Sequence, residues 1–258
     1  MKYDDGKFCW ADLSSTDPKA SMKFYGNLLN WKFETIDGGD GHEYHIAQLG
    51  GENIAGIGPQ QSPVNQSSNW NTYFYADDLN AFTQKAEKMN GTIIAPAMKA
   101  GEFGEMAIVK DPNNSMVFLW KNLAEITSDC ADSIGEKPGH FCWTELITND
   151  LEKSGGFYCD FFSWTPEPML EMANDYFVFT SNEKYRSGMM EATGDLKKLP
   201  TGWHNYIFVE DCEKKAQQAI KLGADILLGP VDVGGFGLAM TIKDPQGGVA
   251  SLFSQVKK

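Results

Sequence analysis

The chain has 258 residues, of which 42% are apolar, and its 22 basic and 35 acidic side chains give a formal net charge of −13. This length allows one large domain or two small ones. The acidic balance disfavours nucleic acid and anionic membranes as partners, and no apolar run is long enough to span a bilayer. We therefore expect small molecules to be the partners of this protein.

The N-terminus and the cysteines indicate a cytoplasmic protein. The opening stretch MKYDDGKF lacks the apolar segment of a secretory signal. The five cysteines are an odd number without close pairing, and Cys9 and Cys142 lie within apolar, strand-like stretches. We expect them to be reduced, buried thiols.

The first predicted element is a strand over the stretch FCWADL, residues 8–13. Strand alternation places Cys9, Ala11 and Leu13 on one face and Trp10 and Asp12 on the other. The small apolar face suits packing under helices. The face with the indole and the carboxylate suits a concave, partly wet surface.

A helix follows, because Ser, Thr and Asp precede Pro18, and it is predicted to run to about Leu29. Strands are expected at about residues 43–48 and 53–57. A strand in WNTYFYADD then leads into a helix that stops at Gly91, which we expect to be its left-handed cap. Two closing strands flank the DPNN turn at residues 111–114, which gives the order β-α-β-β twice.

The second half of the chain repeats the first. FCWTEL, residues 141–146, restates FCWADL at an offset of 133 residues, and the FY pair, the following Trp and the Lys-Asp-Pro triplet recur at the same offset. Residues 7–121 and 140–256 are therefore two copies of one unit. We predict modules at 1–121 and 140–258 joined by an acidic linker, 122–139. In the second copy Gly155 and Gly156 weaken the first helix, and Gly223 caps the second.

The face of the strands that carries Trp10 is predicted to bind ligand. It is rich in aromatic rings with a few polar groups between them, as in small-molecule cavities. Alternatively, the rings only pack the modules together. The predicted ligand-binding residues are Trp10, Asp12, Asn71, Tyr73, Phe118, Trp120, Trp143, Glu145, His204, Tyr206, Ser251 and Phe253.

These motifs, in this order and present twice, resemble the vicinal oxygen chelate superfamily, which groups glyoxalase I, bleomycin-resistance proteins and extradiol dioxygenases. The CW-x-[DE]-L opening and the strands with AGI or SGM resemble a subgroup labelled hydroxylase or glyoxalase-like. The resemblance implies an α+β fold of tandem βαβββ modules, whose curved mixed sheets surround a cavity.

The resemblance also locates the metal-ligand positions of the superfamily. Metal-dependent members use a His or Gln on the first strand, a His or Glu before the second helix, and a Glu on the last strand. Matched to the motifs, these positions fall on Trp10, Asn71 and Phe118 in the first copy, and on Trp143, His204 and Ser251 in the second. Of these only His204 is a strong ligand, since indole offers a metal no lone pair. We therefore predict no metal cofactor, with a divalent metal as the alternative.

Other candidate residues are few. His42 and His45 are expected to be exposed loop histidines, and His140 to face away from Trp143. Asp12, Glu145 and His204 are the remaining trio that could hold a weak ion. His204, as a base titrating near neutrality, and Glu145, as a carboxyl in an aromatic wall, are the candidate catalytic groups.

Three functions stay open from the sequence. The favoured one is a metal-free protein that binds a small aromatic or cationic organic molecule. One alternative is a divalent-metal-dependent lyase or dioxygenase. The other is a non-catalytic structural or interaction protein with filled cavities. A homodimer is compatible with all three.

Overall fold

A computed structural model describes residues 4–39, 41–60, 67–122, 137–170, 172 and 176–256. Its helices are α1 (Pro18–Leu29), α2 (Leu79–Lys88), α3 (Leu151–Phe162) and α4 (Cys212–Lys221), with a short 3-10 helix at Gly194–Lys198. The first eight strands are β1 (Phe8–Ser15), β2 (Lys32–Asp37), β3 (Glu43–Leu49), β4 (Glu52–Pro59), β5 (Asn69–Tyr75), β6 (Thr92–Ala100), β7 (Gly104–Lys110) and β8 (Met116–Asn122). The second eight are β9 (Phe141–Thr148), β10 (Thr165–Pro168), β11 (Phe177–Ser181), β12 (Lys184–Glu191), β13 (Gly202–Phe208), β14 (Asp225–Asp232), β15 (Gly237–Lys243) and β16 (Val249–Gln255).

Each copy forms one eight-stranded mixed sheet. The strand orders are β2-β3-β4-β1-β5-β8-β7-β6 and β10-β11-β12-β9-β13-β16-β15-β14. The first strand of a βαβββ unit pairs in parallel with the last, as β1 does with β4 and β5 with β8. The other pairs within a unit are antiparallel. The predicted α+β fold of tandem modules is confirmed.

The predicted element order missed one strand in each βαβββ unit, namely β2, β6, β10 and β14. All four lie at the ends of the two sheets. They carry little of the apolar alternation that marks a half-buried strand, and β2 and β10 are largely exposed. Pro96, Pro166 and Pro230 also argue against a strand, yet an edge strand tolerates proline because it leaves N–H groups unpaired.

The helix ends follow the sequence with one exception. Helix α1 begins at Pro18 as predicted, and the Asp17 carboxylate accepts a hydrogen bond from the backbone of Ala20. The left-handed residue after α2 is Asn90, with φ of 61°, so the prediction for Gly91 was wrong. Glycine is needed at position 91 because a β-carbon there would lie 2.7 Å from the Lys110 carbonyl oxygen. Gly223 is left-handed as expected, with φ of 97°.

Helix α3 is continuous through Gly155 and Gly156 despite their low helical propensity. A β-carbon at position 155 would lie 3.1 Å from the Met189 Cε atom, whereas one at 156 would meet open space. Close packing therefore accounts for the first glycine only.

The contacts of the chain divide into two compact units. Unit 1 comprises residues 1–9, 72–129 and 144–203, and unit 2 comprises residues 10–71, 130–143 and 204–258. Each unit draws on both copies of the repeat. Most of the predicted linker, residues 123–136, lies outside the described residues, and the module boundaries at 121 and 140 stay a prediction. No helix in the described part of the chain is long and apolar enough to cross a membrane.

Unit 2 contains a buried hydrogen-bond chain that joins the two copies. The Trp70 indole donates to the Tyr25 hydroxyl (2.9 Å), which donates to Asp244 Oδ2 (2.8 Å). Asp244 Oδ1 accepts from the backbone N–H groups of Gln246 and Gly248. Burial, together with the charge of Asp244, raises the pKa of Tyr25 well above its ordinary value.

Unit 1 contains the reciprocal chain. The Trp203 indole donates to the Tyr158 hydroxyl (3.0 Å), which donates to Asp111 Oδ2 (3.1 Å). Asp111 Oδ1 accepts from the backbone of Asn113 and Ser115, both at 2.8 Å. The FY, Trp and Asp-Pro motifs of the repeat therefore meet in pairs, with the tyrosine of one copy bonded to the aspartate of the other.

Removing either tyrosine hydroxyl should destabilise the fold. We expect Tyr25→Phe and Tyr158→Phe each to lower the free energy of unfolding by about 1–3 kcal/mol, because a buried carboxylate and an indole N–H lose their partner. Equilibrium urea unfolding followed by circular dichroism measures this. Tyr185→Phe, at a residue that is 58% exposed, should change it by less than about 0.5 kcal/mol. Equal effects at all three positions would contradict the role of the chains.

Candidate functional site

Three strands, β1, β3 and β5, bring hydrogen-bonding side chains together in unit 2. Three of these side chains, on β1 and β5, belong to the predicted ligand-binding set. We call this group the Trp10 cluster, and its members are Trp10, Asp12, Ser14, Tyr44 and Asn71. Alternation along β1 places the first three on one face, β3 supplies the tyrosine and β5 the asparagine.

The Trp10 cluster is a continuous hydrogen-bond network. The Trp10 indole donates to the Tyr44 hydroxyl (3.0 Å), and this hydroxyl donates to Asp12 Oδ2 (3.4 Å). The Asn71 amide donates to Asp12 Oδ1 (2.7 Å) and to Ser14 Oγ (2.9 Å). Asp12 is 9% exposed, and Trp10, Ser14 and Tyr44 are half-buried. The carboxylate therefore accepts hydrogen bonds from Tyr44 and Asn71 beside two partly accessible rings.

Tyr44 was not predicted from the sequence, and glycines explain its position. Its ring lies across Gly56, where a β-carbon would overlap the phenol. A β-carbon at Gly58 would lie 3.3 Å from the same ring. Burial and the neighbouring Asp12 charge raise the pKa of Tyr44 well above its ordinary value. Glycine inside a strand often marks such a close approach. Gly56 was therefore the feature of the sequence that indicated a side chain packed against this strand.

The second copy repeats this arrangement in unit 1. The Tyr176 ring lies across Gly188, where a β-carbon would overlap its hydroxyl and would stand 3.1 Å from the Glu145 β-carbon. Glu145 pairs in register with Gly188 and is buried. Glu145 and Tyr176 thus take the places of Asp12 and Tyr44.

Unit 1 also holds three of the predicted aromatic residues in one cluster. Tyr73 and Phe118 are paired in register, and their ring centroids are 4.9 Å apart. Trp120 meets Tyr73 edge-on at 6.2 Å and lies against Gly104. Tyr73 and Phe118 are buried, whereas Trp120 is half-buried.

The remaining predicted residues lie in unit 2. Trp143 is half-buried and His204 is buried. Tyr206 pairs in register with Ser251, and the Ser251 hydroxyl is 2.9 Å from that of Thr241. Phe253 lies across Gly237.

The side chains at the superfamily's metal-ligand positions do not fit a divalent ion. In the first copy the Trp10 nitrogen and the Asn71 amide point their N–H donors at Tyr44 and Asp12, the Asn71 Oδ1 atom accepts from Asn69 (2.9 Å), and Phe118 has no donor atom. In the second copy the other two positions hold Trp143, whose indole offers a metal ion no lone pair, and Ser251, which has a hydroxyl.

No group of three or more His, Cys, Asp or Glu side chains is placed to hold a metal ion within the described ranges. The trio of Asp12, Glu145 and His204, considered for a weak ion, is therefore not such a group.

One histidine prediction was wrong. His45 lies in β3, is 3% exposed, and its Nδ1 atom is 2.9 Å from the Thr35 hydroxyl; it is not an exposed loop histidine. His42 is exposed as expected. His140 is half-buried, with its Nε2 atom 3.1 Å from Glu52.

The described cysteines are free thiols. Cys142 donates to the Tyr206 carbonyl oxygen at 3.5 Å. Burial raises its pKa to about 12, so the thiol is unreactive at neutral pH. Cys130 lies outside the described residues.

The glycines under Tyr44 and Tyr176 should not accept a methyl group. Gly56→Ala and Gly188→Ala should each destabilise the fold by about 1–3 kcal/mol, because the ring above must move. In Gly56→Ala the Trp10 indole N–H signal in an NMR spectrum should also shift, since its acceptor is displaced.

The matched control is Gly156→Ala in helix α3, where a β-carbon meets open space. This change should stabilise the fold by about 0.5–1 kcal/mol, because alanine loses less backbone entropy in a helix. A Gly56→Ala protein as stable as the unmodified chain, with the Trp10 signal in place, would contradict the position of Tyr44.

Comparison with known proteins identifies relatives of this chain and structures that share its fold. CFP32 of Mycobacterium bovis (strain ATCC BAA-935 / AF2122/97), a proposed glyoxylase, is 30% identical over 97% of this chain and 95% of its own. The anthracycline biosynthesis protein DauV of Streptomyces sp. (strain C5) is 25% identical over 90% of this chain and 87% of its own. The Mn(II)-bound glyoxalase of Novosphingobium aromaticivorans shares the fold, with a TM-score of 0.67 at 15% identity over 98% of this chain and 83% of its own.

The family model matches in both copies. It covers residues 7–118 and 138–250, which is most of the chain. The chain therefore belongs to the Glyoxalase/Bleomycin resistance protein/Dioxygenase superfamily.

Proposed function

We propose that this protein binds a small organic molecule with an aromatic or cationic group at the Trp10 cluster, without the divalent ion of its metal-dependent relatives. The observation that supports this is the hydrogen bonding of the side chains at two of the superfamily's metal-ligand positions. Trp10 and Asn71 turn their N–H donors toward Tyr44 and Asp12 and so build a hydrogen-bonded carboxylate in place of a metal site.

The chemistry of the cluster suits binding. Trp10 and Tyr44 keep part of their surfaces exposed, so a planar group can stack on them or a cation can lie over the indole face. Asp12 supplies a fixed acceptor beside the rings. Since the network holds each side chain in one orientation, little conformational entropy is lost when a ligand binds.

The named functions of relatives are in keeping with this role. DauV is named for anthracycline biosynthesis and CFP32 as a proposed glyoxylase, so both names connect the family to small organic compounds. No reaction step is implied by the Trp10 cluster itself.

A second candidate function is a structural or interaction role with filled cavities. Tyr44, Trp120, Tyr176 and Phe253 each lie on a strand glycine, so their rings occupy space next to the sheets. A protein of this kind would bind no small molecule at these rings.

A ligand screen separates the two. Intrinsic Trp fluorescence in the presence of a library of aromatic and cationic compounds should respond to at least one of them. Trp10→Leu should then weaken its binding by about tenfold, because the ring surface is lost. Phe103→Leu, at a hairpin residue that is 53% exposed, is the control and should leave the affinity unchanged. If no compound binds, the filled-cavity function is favoured.

Metal analysis tests the proposal that the protein binds its ligand without a divalent ion. Protein purified without chelators should contain no stoichiometric Zn, Ni, Fe or Mn, and adding these ions should not raise the melting temperature, since a bound ion would stabilise the native state. A stoichiometric ion that is lost in His204→Ala would contradict the metal-free site and favour the metal-dependent lyase or dioxygenase.

A further inference from the structure

We infer that unit 1 contains a binding site for a carboxylate group, formed by Asn182, Lys184 and Arg186, and that Asp4 of the chain itself occupies it. We call these three residues the Arg186 cradle, and residues 4–7 the N-terminal strap. The cradle and the Trp10 cluster belong to different compact units, so this inference does not depend on the proposed function.

The first support is the burial of an arginine where the fold does not require one. The pairing of β11 with β12 passes over Arg186, and that of β3 with β4 passes over Ile54, so both residues take the same β-bulge position in their copies. Ile54 is 3% exposed, which shows that an apolar side chain fills this position. The Arg186 side chain is 4% exposed, and removing its charge from water costs free energy that an aliphatic side chain does not. An anion bound by the guanidinium accounts for the charge.

The second support is the convergence of the cradle on one carboxylate. The Arg186 Nη2 atom donates to Asp4 Oδ2 (2.6 Å) and to the Ser181 carbonyl oxygen (3.2 Å). The Asn182 side chain hydrogen-bonds the same carboxylate, and the charge of Lys184 acts on it. The hydrogen bond from Arg186 is the main cause that lowers the pKa of Asp4 below its ordinary value. Three side chains of one hairpin therefore hold an ionised carboxylate from another part of the chain.

The third support is the donor capacity that Asp4 leaves unused. The Arg186 Nε–H group is buried and has no acceptor among the described residues. A guanidinium binds a carboxylate most strongly through two parallel N–H···O bonds, so a carboxylate that reached both Nη2 and Nε would satisfy Arg186 better than Asp4 does. The Asp4 side chain is 46% exposed, so its carboxylate is open to exchange with one from solution.

The N-terminal strap makes Asp4 an internal competitor for this site. The Gly6 N–H donates to the Tyr75 carbonyl oxygen (2.8 Å). Gly6 has φ of 80°, and a β-carbon there would lie 2.8 Å from the Trp164 indole nitrogen. The strap is therefore fixed to unit 1, and a tethered group acts at a high effective concentration. A carboxylate from solution binds the cradle only by displacing Asp4.

Chemical rescue of Asp4→Asn tests the site. This variant keeps the shape of the side chain but leaves the Arg186 charge without its anion, so the melting temperature should fall by about 5 °C. Sodium acetate should then raise the melting temperature of the variant by about 2 °C more than the same concentration of sodium chloride, because a ligand of the native state stabilises it. Inorganic phosphate is compared in the same way.

NMR measures the binding itself. The Arg186 Nε–H signal, assigned from Arg186→Lys, should shift and saturate when acetate is titrated into Asp4→Asn, and chloride should not reproduce the shift. In the unmodified protein acetate should bind about tenfold more weakly, because Asp4 competes for the same donors.

Two further variants are the controls. Asp4→Asn combined with Arg186→Met should lose the response to acetate and should melt no lower than Asp4→Asn alone, because the unpaired buried charge is gone. Asp195→Asn removes a carboxylate that is also paired with a cation but is 74% exposed. It should change the melting temperature by less than about 1 °C and show no response that is specific to acetate.

Each outcome decides a part of the inference. If acetate acts on Asp4→Asn no more than chloride does, the cradle is not a carboxylate site. If phosphate rescues the variant and acetate does not, the carboxylate class is wrong. If the unmodified protein binds acetate as tightly as Asp4→Asn does, Asp4 is not the occupant. If Asp4→Asn does not fold, as judged by circular dichroism, the titration of the unmodified protein decides: a shift of the Arg186 signal that is specific to acetate supports the site, and its absence overturns it.

Discussion

The reciprocal bonds between Tyr25 and Asp244 and between Tyr158 and Asp111 are the constraint on which the rest of the structure depends. A carboxylate can be buried only when donors satisfy it. Here two backbone N–H groups of the Asp-Pro turn and one tyrosine from the other copy do so. Because the helix of one copy holds the turn of the other, neither copy satisfies its buried polar groups alone. This explains why each compact unit contains elements from both halves of the chain.

Side chains outside these two hydrogen-bond chains differ between the two copies of the repeat. The segment before each first strand forms an ion pair in its unit, Lys137 with Glu52 and Asp4 with Arg186. Asp4 and Lys137 occupy equivalent positions in the repeat with opposite charges. This position therefore carries a charged side chain that forms an ion pair in both copies, with opposite sign. On the first strands of the two copies the charge instead keeps its sign, as Asp12 in β1 and Glu145 in β9.

The sequence predicted the features that arise from local chemistry or from period. The start of α1 at Pro18 and the two faces of β1 follow from capping and alternation, and the repeat itself revealed the paired modules. Features that depend on tertiary packing were not predicted from the sequence. Asn90 takes the left-handed position, while Gly91 makes a close contact with a carbonyl oxygen. His45 lies within the predicted strand, but its side chain is on the covered face of β3, and only the packing of the fold shows which face is covered. For the site, the strand positions were predictable, but Tyr44 was not, since only the fold shows which ring covers Gly56.

The Trp10 cluster also shows how one fold can carry different side chains at the positions that the resemblance assigns to metal ligands. In metal-dependent members, as the resemblance implies, the centre of the site is a cation that receives substrate oxygens. In this chain the Trp10 N–H points at the Tyr44 hydroxyl, that hydroxyl points at Asp12, and the Asn71 amide N–H points at Asp12 as well. An N–H group that points at a neighbouring oxygen offers a metal ion no lone pair. The strands can thus keep their pairing while the groups at two of these positions present hydrogen-bond donors to the neighbouring side chains.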